Sequence, residues 1–529
     1  MMGQRAALVI VGWLVGGCAP QRPQPIPGPR SPVETPTAAL SRALADTLWR
    51  FAHVGVLLVP LGDTAALACH QAERLFVPAS NAKLFTGAAV LETLGPAYRF
   101  RTEAWAGGRV RHGVLEGDLI VRGYGDPSWS PNAGLDPFAR LAAWADSLRH
   151  RGIERIRGRL VADASAFADD PVPPGWTVDD LVWAYGAPVP ALFFHDGMAT
   201  LTVRAGASGD TAHLRVTPEF GVLHLRNRTR TDPAAREAAI ELRRALGRDT
   251  LVVTGVVPLD TVTRTWRVAL PDPALAFVAA LQRALASRGV AVEGGLAVLD
   301  ASSSTPVGPL LFVDRSPPLA ELLGRMLKPS QNQWAELFLR TLGLELRGEG
   351  STAAGLAVLD SLARAWGLPF EERRQTDGSG LSRANLVSPR FLVALLQRMA
   401  RSAYADLWRR SLPVAGVDGT LASRLRGTLA EGRVVAKTGT LGNVRALSGY
   451  LERPDGRPWV FAILINHHGR TTAAVDRIVD ALLLAWLTAP AEPDTGAEAT
   501  AGAPTRRDGW VDSSAAKARA CGNEWSIWR

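Results

Sequence analysis

A serine and a lysine three residues apart are the pair in this 529-residue chain best suited to covalent chemistry. They lie in the stretch Pro78-Ala79-Ser80-Asn81-Ala82-Lys83, and apolar residues follow at helical spacing (Leu84, Ala88, Leu91 and Leu94). A separation of three residues puts both side chains on one face of a helix. A serine hydroxyl becomes a nucleophile when a neighbouring base takes its proton, and a lysine with a lowered pKa is such a base. The stretch predicts a nucleophile–base pair, although alone it also fits a capped helix with a surface lysine.

Two later stretches strengthen the catalytic interpretation. Ser330-Gln331-Asn332 lies between two amphipathic segments, and Lys437-Thr438-Gly439-Thr440 lies in a region rich in β-forming residues. Taken singly, the first also fits a polar loop that caps a helix, and the second fits a strand edge protected by a lysine. The order S-x-x-K, S-x-N and K-T-G resembles the signature of penicillin-binding proteins and serine β-lactamases.

Further stretches resemble one branch of these proteins, the D-Ala-D-Ala carboxypeptidase/endopeptidase family typified by penicillin-binding protein 4. The resemblance covers roughly residues 40 to 488. The stretches that carry it are Pro78–Leu84, Gly117–Leu119 with Gly123–Pro127, Gly175-Trp176 with Gly186-Ala187-Pro188, Asp377–Arg383, Ala415–Leu421 and Ala436–Leu441. The resemblance implies peptidoglycan stem peptides as substrates and β-lactams as inhibitors, and it leaves carboxypeptidase and endopeptidase preference open.

The resemblance also implies a role for each motif residue. Ser80 is the expected nucleophile and Lys83 its base, and backbone N–H groups of Ser80 and Thr440 are the expected oxyanion donors. Ser330 is expected to pass a proton to the leaving amine, with Lys437 nearby. Asn332 is expected to hydrogen-bond the substrate backbone.

The K-T-G-T stretch favours a carboxypeptidase over a general protease. A second ammonium at Lys437 repels a charge on Lys83 and attracts a terminal carboxylate. Thr438 and Thr440 offer hydroxyl groups to that carboxylate, and Gly439 lets the strand approach the substrate closely.

Two further charged residues are candidate substrate contacts. Arg383 is either an additional cation for the substrate or a surface loop arginine. Asp163 is either a partner for an amine of the stem peptide or a turn residue at a strand end. The Asp377-Gly378-Ser379-Gly380 loop is predicted to have a conformational rather than a catalytic role, because its glycines suit tight turns.

Three alternatives share the fold. A serine β-lactamase needs a further positioned base for deacylation, for which the sequence offers no candidate, and the large insert is unlike that compact family. A catalytically silent cell-wall-binding lipoprotein is disfavoured by the intact motif residues. An esterase usually has a tyrosine in the second motif, where this chain has Ser330 and Asn332.

The elements around these motifs predict an α+β fold with a β-lactamase/transpeptidase-like catalytic domain, in which helices cover an antiparallel sheet. This domain is expected to be discontinuous, at 40–96 and 309–488, and interrupted by one or two α+β lobes at 97–308. We expect helices at 41–51, 319–327, 334–344, 361–366, 389–400 and 473–488, and strands at 54–60, 434–441, 444–452 and 459–466. In the insert we expect helices at 135–149 and 273–287, and strands near 119–121, 160–162, 201–203 and 251–257.

The chain ends predict export. Arg5, an apolar run at 6–14 and Val15-Gly16-Gly17-Cys18 resemble a lipoprotein signal at 1–18, with Cys18 as the lipidated residue; the alternative is an ordinary signal peptide cut nearby. A Pro-rich linker is expected at 19–39 and a disordered tail at 489–529. The protein is thus expected on the periplasmic face of a bacterial membrane as a lipoprotein, or otherwise soluble in the periplasm.

Composition limits the partners and cofactors. The net charge is +9, which favours anionic partners, but no long Lys/Arg block indicates nucleic acid. Three cysteines imply no disulfide framework, although Cys69 and Cys521 could pair. No Cys/His cluster has metal-ligand spacing, so neither a metal site nor a cofactor is predicted.

Overall fold

The computed structural model describes residues 34–302 and 308–490. Its first four elements lead to the S-x-x-K motif: α1 Pro36–Leu44, β1 His53–Pro60, β2 Ala68–His70 and α2 Ala82–Leu94. Helix α1 begins earlier than the predicted 41–51, because the Thr35 side chain accepts a hydrogen bond from Ala38 N and Pro36 takes the first helical position. The end of the predicted Pro-rich linker is therefore helical.

The middle of the chain alternates short strands and two helices. In chain order they are β3 Arg101–Ala106, β4 Arg109–Arg111, β5 Val114–Glu116, β6 Leu119–Gly123, α3 Pro137–His150, β7 Arg155–Ile156, β8 Leu160–Asp163, β9 Met198–Arg204, β10 His213–Thr217, β11 His224–Asp232, β12 Ala239–Arg244, β13 Thr250–Pro258, β14 Arg264–Ala269, α4 Pro273–Ser287, β15 Ala291–Val292, β16 Leu296–Leu299 and β17 Leu310–Arg315.

The remaining elements are mostly helical until three long strands near the end. They are α5 Leu319–Leu327, α6 Asn332–Arg347, α7 Thr352–Ala365, β18 Arg373–Arg374, β19 Leu386–Val387, α8 Pro389–Ala400, α9 Ala405–Ser411, β20 Val434–Leu441, β21 Val444–Leu451, β22 Trp459–Asn466 and α10 Thr472–Thr488.

The catalytic domain is an antiparallel sheet between two layers of helices. Its five strands run in the order β2-β1-β22-β21-β20, and every neighbouring pair is antiparallel. Helices α1 and α10 pack on one face, and α2, α5, α6 and α8 lie on the other, each over its own apolar core. The α+β prediction is confirmed. Strands β1 and β2 precede the insert in the chain, and β20, β21 and β22 follow it. The complete sheet can therefore form only after the insert has been synthesised.

The insert contains two lobes, one nested in the other. The outer lobe has a five-stranded sheet in the order β16-β8-β6-β3-β17, covered by α3 and α4. The nested lobe, residues 198–269, packs the sheets β10-β9-β14 and β11-β13-β12 around a separate core. Because β17 pairs with β3, the insert ends near residue 315 and not at the predicted 308.

One long connection brings the insert against the catalytic domain. We call residues 164–197, between β8 and β9, the wall segment. Arg340 on α6 donates to the carbonyls of Val189 and Asp170, at 2.5 and 2.7 Å, and is fully buried. Trp176 donates through Nε1 to Asp377 Oδ2 at 3.1 Å. These bonds fix the wall segment beside the motif residues.

The ends of the chain bear on the export predictions. Cys18, Cys521, the predicted signal and nearly all of the predicted tail lie outside the described residues. Cys69, on β2, is disulfide-bonded. Within 34–302 and 308–490, no helix combines the length and the apolar character needed to cross a bilayer.

Candidate active site

Ser80 and Lys83 lie where a tight turn becomes a helix. Ser80 is in a 3₁₀ turn, Ala79–Asn81, and Lys83 is in the first turn of α2. Ala79 has a φ of +47°, which a non-glycine residue rarely adopts and which is commonly found at functional sites. Asn81 Nδ2 donates to the carbonyl of Lys437 at 3.0 Å, so the turn is fixed to strand β20.

The Lys83 amine has three oxygen neighbours. Its Nζ lies 2.9 Å from Ser80 Oγ, 2.6 Å from Asn332 Oδ1 and 2.7 Å from the carbonyl oxygen of Ser379. A neutral amine has two N–H groups and one lone pair. Two donated bonds, to Asn332 and Ser379, therefore leave the lone pair free to accept the Ser80 hydroxyl proton.

Burial is the main cause of the low basicity of Lys83. The side chain is fully buried, and burial lowers its pKa to about 7, against an opposing effect from Asp377 and Glu336. From the sequence we expect burial or a nearby positive charge to lower this pKa, with repulsion from Lys437 as a contributor. That repulsion acts on Lys437 itself, whose pKa is lowered first by burial, then by Lys83 and Arg445. A neutral amine is thus accessible near neutral pH.

Ser330 and Lys437 form a second pair on the other side of Ser80. Lys437 Nζ donates to Ser330 Oγ at 2.8 Å and to the Thr438 carbonyl at 2.9 Å. Ser330 lies in the turn between α5 and α6 with a φ of +65°, a strained value of the kind found at functional sites, and its hydroxyl reaches Lys437 on β20. The sequence separates these residues by more than 100 positions, and the fold brings them into direct contact.

Both polar atoms of the Asn332 side-chain amide, Oδ1 and Nδ2, form hydrogen bonds. Besides accepting from Lys83, the amide donates through Nδ2 to the Tyr185 carbonyl of the wall segment at 2.9 Å. The next residue, Gln333, donates through Nε2 to the Ala184 carbonyl at 2.8 Å. Residues of helix α6 therefore contact both Lys83 and the wall segment.

Strand β20 presents backbone and hydroxyl groups at a sheet edge. Because Leu441 pairs with Val444 across a two-residue turn, Thr438 and Thr440 direct their N–H groups away from β21. Gly439 allows the strand to approach the Ser80 turn, since a Cβ there would lie 2.6 Å from the carbonyl oxygen of Pro78. The predicted oxyanion donor Thr440 thus faces the cleft.

Ser80, Ser330, Asn332, Thr438 and Thr440 line one cleft of about 500 Å³, and the buried amines of Lys83 and Lys437 contact the hydroxyls of Ser80 and Ser330 from behind. Arg383 lies on the rim of the cleft and donates to the Gly442 carbonyl at 3.0 Å, which joins its loop to the β20–β21 turn. The hydroxyls of Thr420 and Thr438 are 2.6 Å apart. The structure therefore brings together nine of the predicted residues, namely Ser80, Lys83, Ser330, Asn332, Arg383, Lys437, Thr438, Gly439 and Thr440.

Asp163 is not brought to the cleft. Its carboxylate is almost completely buried in the outer lobe, where it lies 2.6 Å from Arg122 Nε and caps Ser165 N at 3.0 Å. The charge of Asp163 is paired with Arg122 inside the lobe. The expected contact between Asp163 and the substrate is therefore wrong. Within the described ranges, the acidic side chain that lines the cleft is Asp180 of the wall segment, which accepts hydrogen bonds from Thr177 and Tyr185. Sequence reasoning missed it because no spacing relates residue 180 to the three motifs.

Several hydrogen bonds to the Asp377 carboxylate hold the loop around it in one conformation. Asp377 accepts from Gly380 N, Ser382 N, Asn385 Nδ2 and Trp176 Nε1, at 2.7, 2.7, 2.8 and 3.1 Å. A buried carboxylate with this many donors stabilises one loop conformation. The loop then offers the Ser379 carbonyl to Lys83, which agrees with the predicted conformational role. Among the described residues, no group of three or more His, Cys, Asp and Glu side chains forms a metal site.

A family model matches this geometry over most of the chain. The model of the D-Ala-D-Ala carboxypeptidase 3 (S13) family matches residues 37–486. The chain belongs to this family. The match includes all three motifs, the wall segment and both lobes of the insert, and it confirms the resemblance inferred from the sequence.

Individual family members are similar over the same extent. The D-alanyl-D-alanine carboxypeptidase of Actinomadura sp. (strain R39) is 34% identical over 426 residues, covering 78% of each chain. The carboxypeptidase DacB of Haemophilus influenzae is 26% identical and covers 78% of this chain and 85% of its own. The crystal structure of penicillin-binding protein 4 from H. influenzae superposes with a TM-score of 0.74 at 25% identity, over 82% of this chain and 97% of that one.

Proposed function

We propose that the chain is a serine D-alanyl-D-alanine carboxypeptidase that acts on peptidoglycan stem peptides through an acyl-enzyme on Ser80. The observation that carries the proposal is the 2.9 Å separation of Lys83 Nζ and Ser80 Oγ, with the Lys83 amine buried and bound by two fixed oxygens. Family membership supports the same reaction, because relatives from Actinomadura and H. influenzae are named D-alanyl-D-alanine carboxypeptidases.

The first half of the reaction makes the acyl-enzyme. Neutral Lys83 takes the Ser80 proton, and Oγ attacks the carbonyl carbon of the penultimate D-Ala. The N–H groups of Ser80 and Thr440 stabilise the oxyanion, since backbone donors are fixed before the charge develops. The carbon–nitrogen bond then breaks. Ser330, held by Lys437, conducts the proton that Lys83 took from Ser80 to the leaving amine, so Lys83 is neutral again when terminal D-Ala departs.

The second half is hydrolysis. Water attacks the Ser80 ester with Lys83 as base, the ester carbon–oxygen bond breaks, and the proton returns to Ser80 Oγ. The terminal carboxylate of the substrate binds at Lys437, Thr438 and Thr440. Asp180 and Arg383, which both line the cleft, contact the polar side chain of the stem peptide.

We propose the same acyl-enzyme for β-lactams and for cross-linked peptides. Cleavage of a cross-link at D-Ala changes only the leaving amine, so DD-endopeptidase activity uses the same groups. A β-lactam carries a strained amide and a carboxylate, and its leaving group stays tethered after ring opening. Support comes from the similar penicillin-binding protein 4 of H. influenzae, which has been solved with a bound β-lactam.

Muropeptide digestion tests the reaction class. Purified protein is incubated with pentapeptide and cross-linked muropeptides, and the products are identified by mass. Loss of terminal D-Ala supports the carboxypeptidase, and cleavage of the cross-link supports endopeptidase activity. Binding without either product, in a protein that is folded, contradicts the proposal and favours a silent cell-wall binder. Rapid turnover of penicillin instead favours a β-lactamase.

Export and lipid anchoring at Cys18 are proposed from the sequence pattern alone, because residue 18 lies outside the described residues. The N-terminal mass of the mature protein and its detergent partitioning test this. A mature chain that keeps residues before Cys18, or an unmodified soluble one, contradicts lipidation.

A further inference from the structure

A buried carboxylate behind the site has no part in the proposed reaction. Glu336 lies one turn of α6 after Asn332, its side chain is fully buried, and it has no ion-pair partner among the described residues. Burying a carboxylate without a cation in contact is costly. The hydrogen bonds that the carboxylate accepts must offset that cost.

Both oxygens of Glu336 bind the backbone of the Asp377 loop. Oε2 accepts from Gly378 N at 2.9 Å, and Oε1 accepts from Ser379 N at 2.7 Å. Because each oxygen accepts an N–H group, the bonding suits the ionised carboxylate. The carbonyl of the same residue, Ser379, lies 2.7 Å from Lys83 Nζ. Ser379 therefore bridges the two groups: its N–H binds the Glu336 carboxylate, and its carbonyl oxygen binds the Lys83 amine.

We propose that Glu336 is a positioning residue for Lys83: it holds the Ser379 carbonyl against the amine and places a negative charge behind it. The inference rests on the proposed function only in assigning Lys83 as the base. A lysine fully buried among neutral groups would be a poor proton acceptor, since general-base catalysis weakens as basicity falls. Glu336 offsets part of that loss.

The charges that face this pair come from several elements. Asp377 of the loop and Glu336 of α6 raise the pKa of Lys83 against burial. Lys437 of β20 faces Lys83 as a second amine, and Arg340 of α6 faces Glu336. Burial, followed by the charge on Asp377, raises the pKa of Glu336 itself to about 7, against the hydrogen bonds from Ser379 and Gly378, which favour the ionised form. The carboxylate therefore carries its charge above about pH 7. Because that charge raises the pKa of Lys83, removing it should lower the pKa of Lys83.

The composition of the chain makes that pKa directly measurable. The chain contains only four lysines, Lys83, Lys328, Lys437 and Lys517. Lysine labelled with ¹³C gives four side-chain signals, and Lys83→Ala assigns the one required. Titration by NMR in the full-length protein then reports the pKa of Lys83 without any substrate.

The informative variant is Glu336→Gln, which keeps the size and removes the charge. We expect the Lys83 titration to move to lower pH by roughly one unit. The low-pH part of the pH profile for Ser80 acylation by penicillin should shift to lower pH by the same amount. The control is Asn385→Ala, which loosens the same loop by removing bonds to Thr376 N and Asp377 Oδ1 but removes no charge. It should slow acylation at every pH and leave the titration in place.

Two further variants keep the test decisive. Glu336→Asp restores the charge on a shorter side chain and should restore most of the titration shift. Glu336→Met is a second uncharged variant if the glutamine protein does not fold. An unchanged Lys83 pKa in folded Glu336→Gln, or an equal shift in Asn385→Ala, overturns the inference. Absence of acylation in the wild-type protein overturns the proposed function instead and leaves the NMR result to decide the inference.

Discussion

The side-chain amide of Asn332 donates a 2.9 Å hydrogen bond to the backbone carbonyl of Tyr185 and, through its oxygen, lies 2.6 Å from Lys83 Nζ. One residue thus connects the insert to the base. The insert supplies a wall of the cleft, although the three motifs lie outside it, so its folding and the geometry of the site are linked.

This relationship predicts different effects for neighbouring residues on α6. Asn332→Ala removes an oxygen that orients Lys83, and acylation of Ser80 should slow by about 10²-fold, as for loss of a positioned catalytic base. The matched control is Gln333→Ala, which releases the same wall segment at Ala184 but does not touch Lys83. It should raise KM and change kcat by less than about threefold. Equal losses in kcat would contradict the role assigned to Asn332.

The buried amine predicts the pH dependence of acylation. The pKa of Lys83 is lowered to about 7 by burial, and the neutral form is the base that we propose. The acylation rate should therefore rise with pH through about 7 and level off above it, whereas an ordinary lysine would not deprotonate until about pH 10. Stopped-flow measurement with a chromogenic β-lactam at several pH values checks this. A flat profile between pH 5 and 9 would rule out Lys83 as the titrating base.

Lys437 should distinguish ligands by their carboxylate. Lys437→Ala removes a buried amine that contacts Ser330 and lies directly behind Thr438, where we propose that the substrate carboxylate binds. We expect kcat/KM to fall by at least about tenfold more for a carboxylate-bearing peptide than for its uncharged ester, since charge-assisted bonds are the stronger ones. Steady-state kinetics on the matched pair of substrates measures the difference. Equal losses would assign Lys437 to proton transfer alone.

The correction of Asp163 to Asp180 has its own test. Asp180→Asn should reduce kcat/KM by about five- to tenfold for stem peptides with a free amine on the side chain, and should leave peptides that lack the amine unchanged. Asp163→Asn breaks the buried pair with Arg122 and should lower the melting temperature with no change in substrate preference. A competition assay between a stem peptide with the side-chain amine and one without it measures the substrate preference of each variant. A shifted preference in Asp163→Asn would return that residue to the site.

Much of the catalytic domain follows from local patterns. Helices α5 and α8 and strands β20 and β22 have the predicted bounds, because apolar periodicity and turn residues mark their ends. Strand β17 was assigned to the wrong domain, since its own sequence does not reveal that it pairs with β3, about 200 residues earlier. Motif order and spacing predicted Ser80, Lys83, Ser330, Asn332 and Lys437 as one group, and the structure brings these residues into contact.

The supporting residues could not be found in this way. Asp180 reaches the cleft through the path of the wall segment, and Glu336 reaches the base through the backbone of another loop. Both depend on tertiary contacts between distant segments. Asp163, on a plausible strand end, was misassigned because only the fold reveals that Arg122 on the neighbouring strand is its partner.

The central claim is that Ser80 is the nucleophile activated by Lys83, and intact-protein mass spectrometry with penicillin tests it most directly. We expect one adduct, mapped to Ser80 by peptide analysis, absent in Ser80→Ala and formed at least about 10²-fold more slowly in Lys83→Ala. An adduct on another residue, or no adduct in protein shown to be folded, would contradict the account.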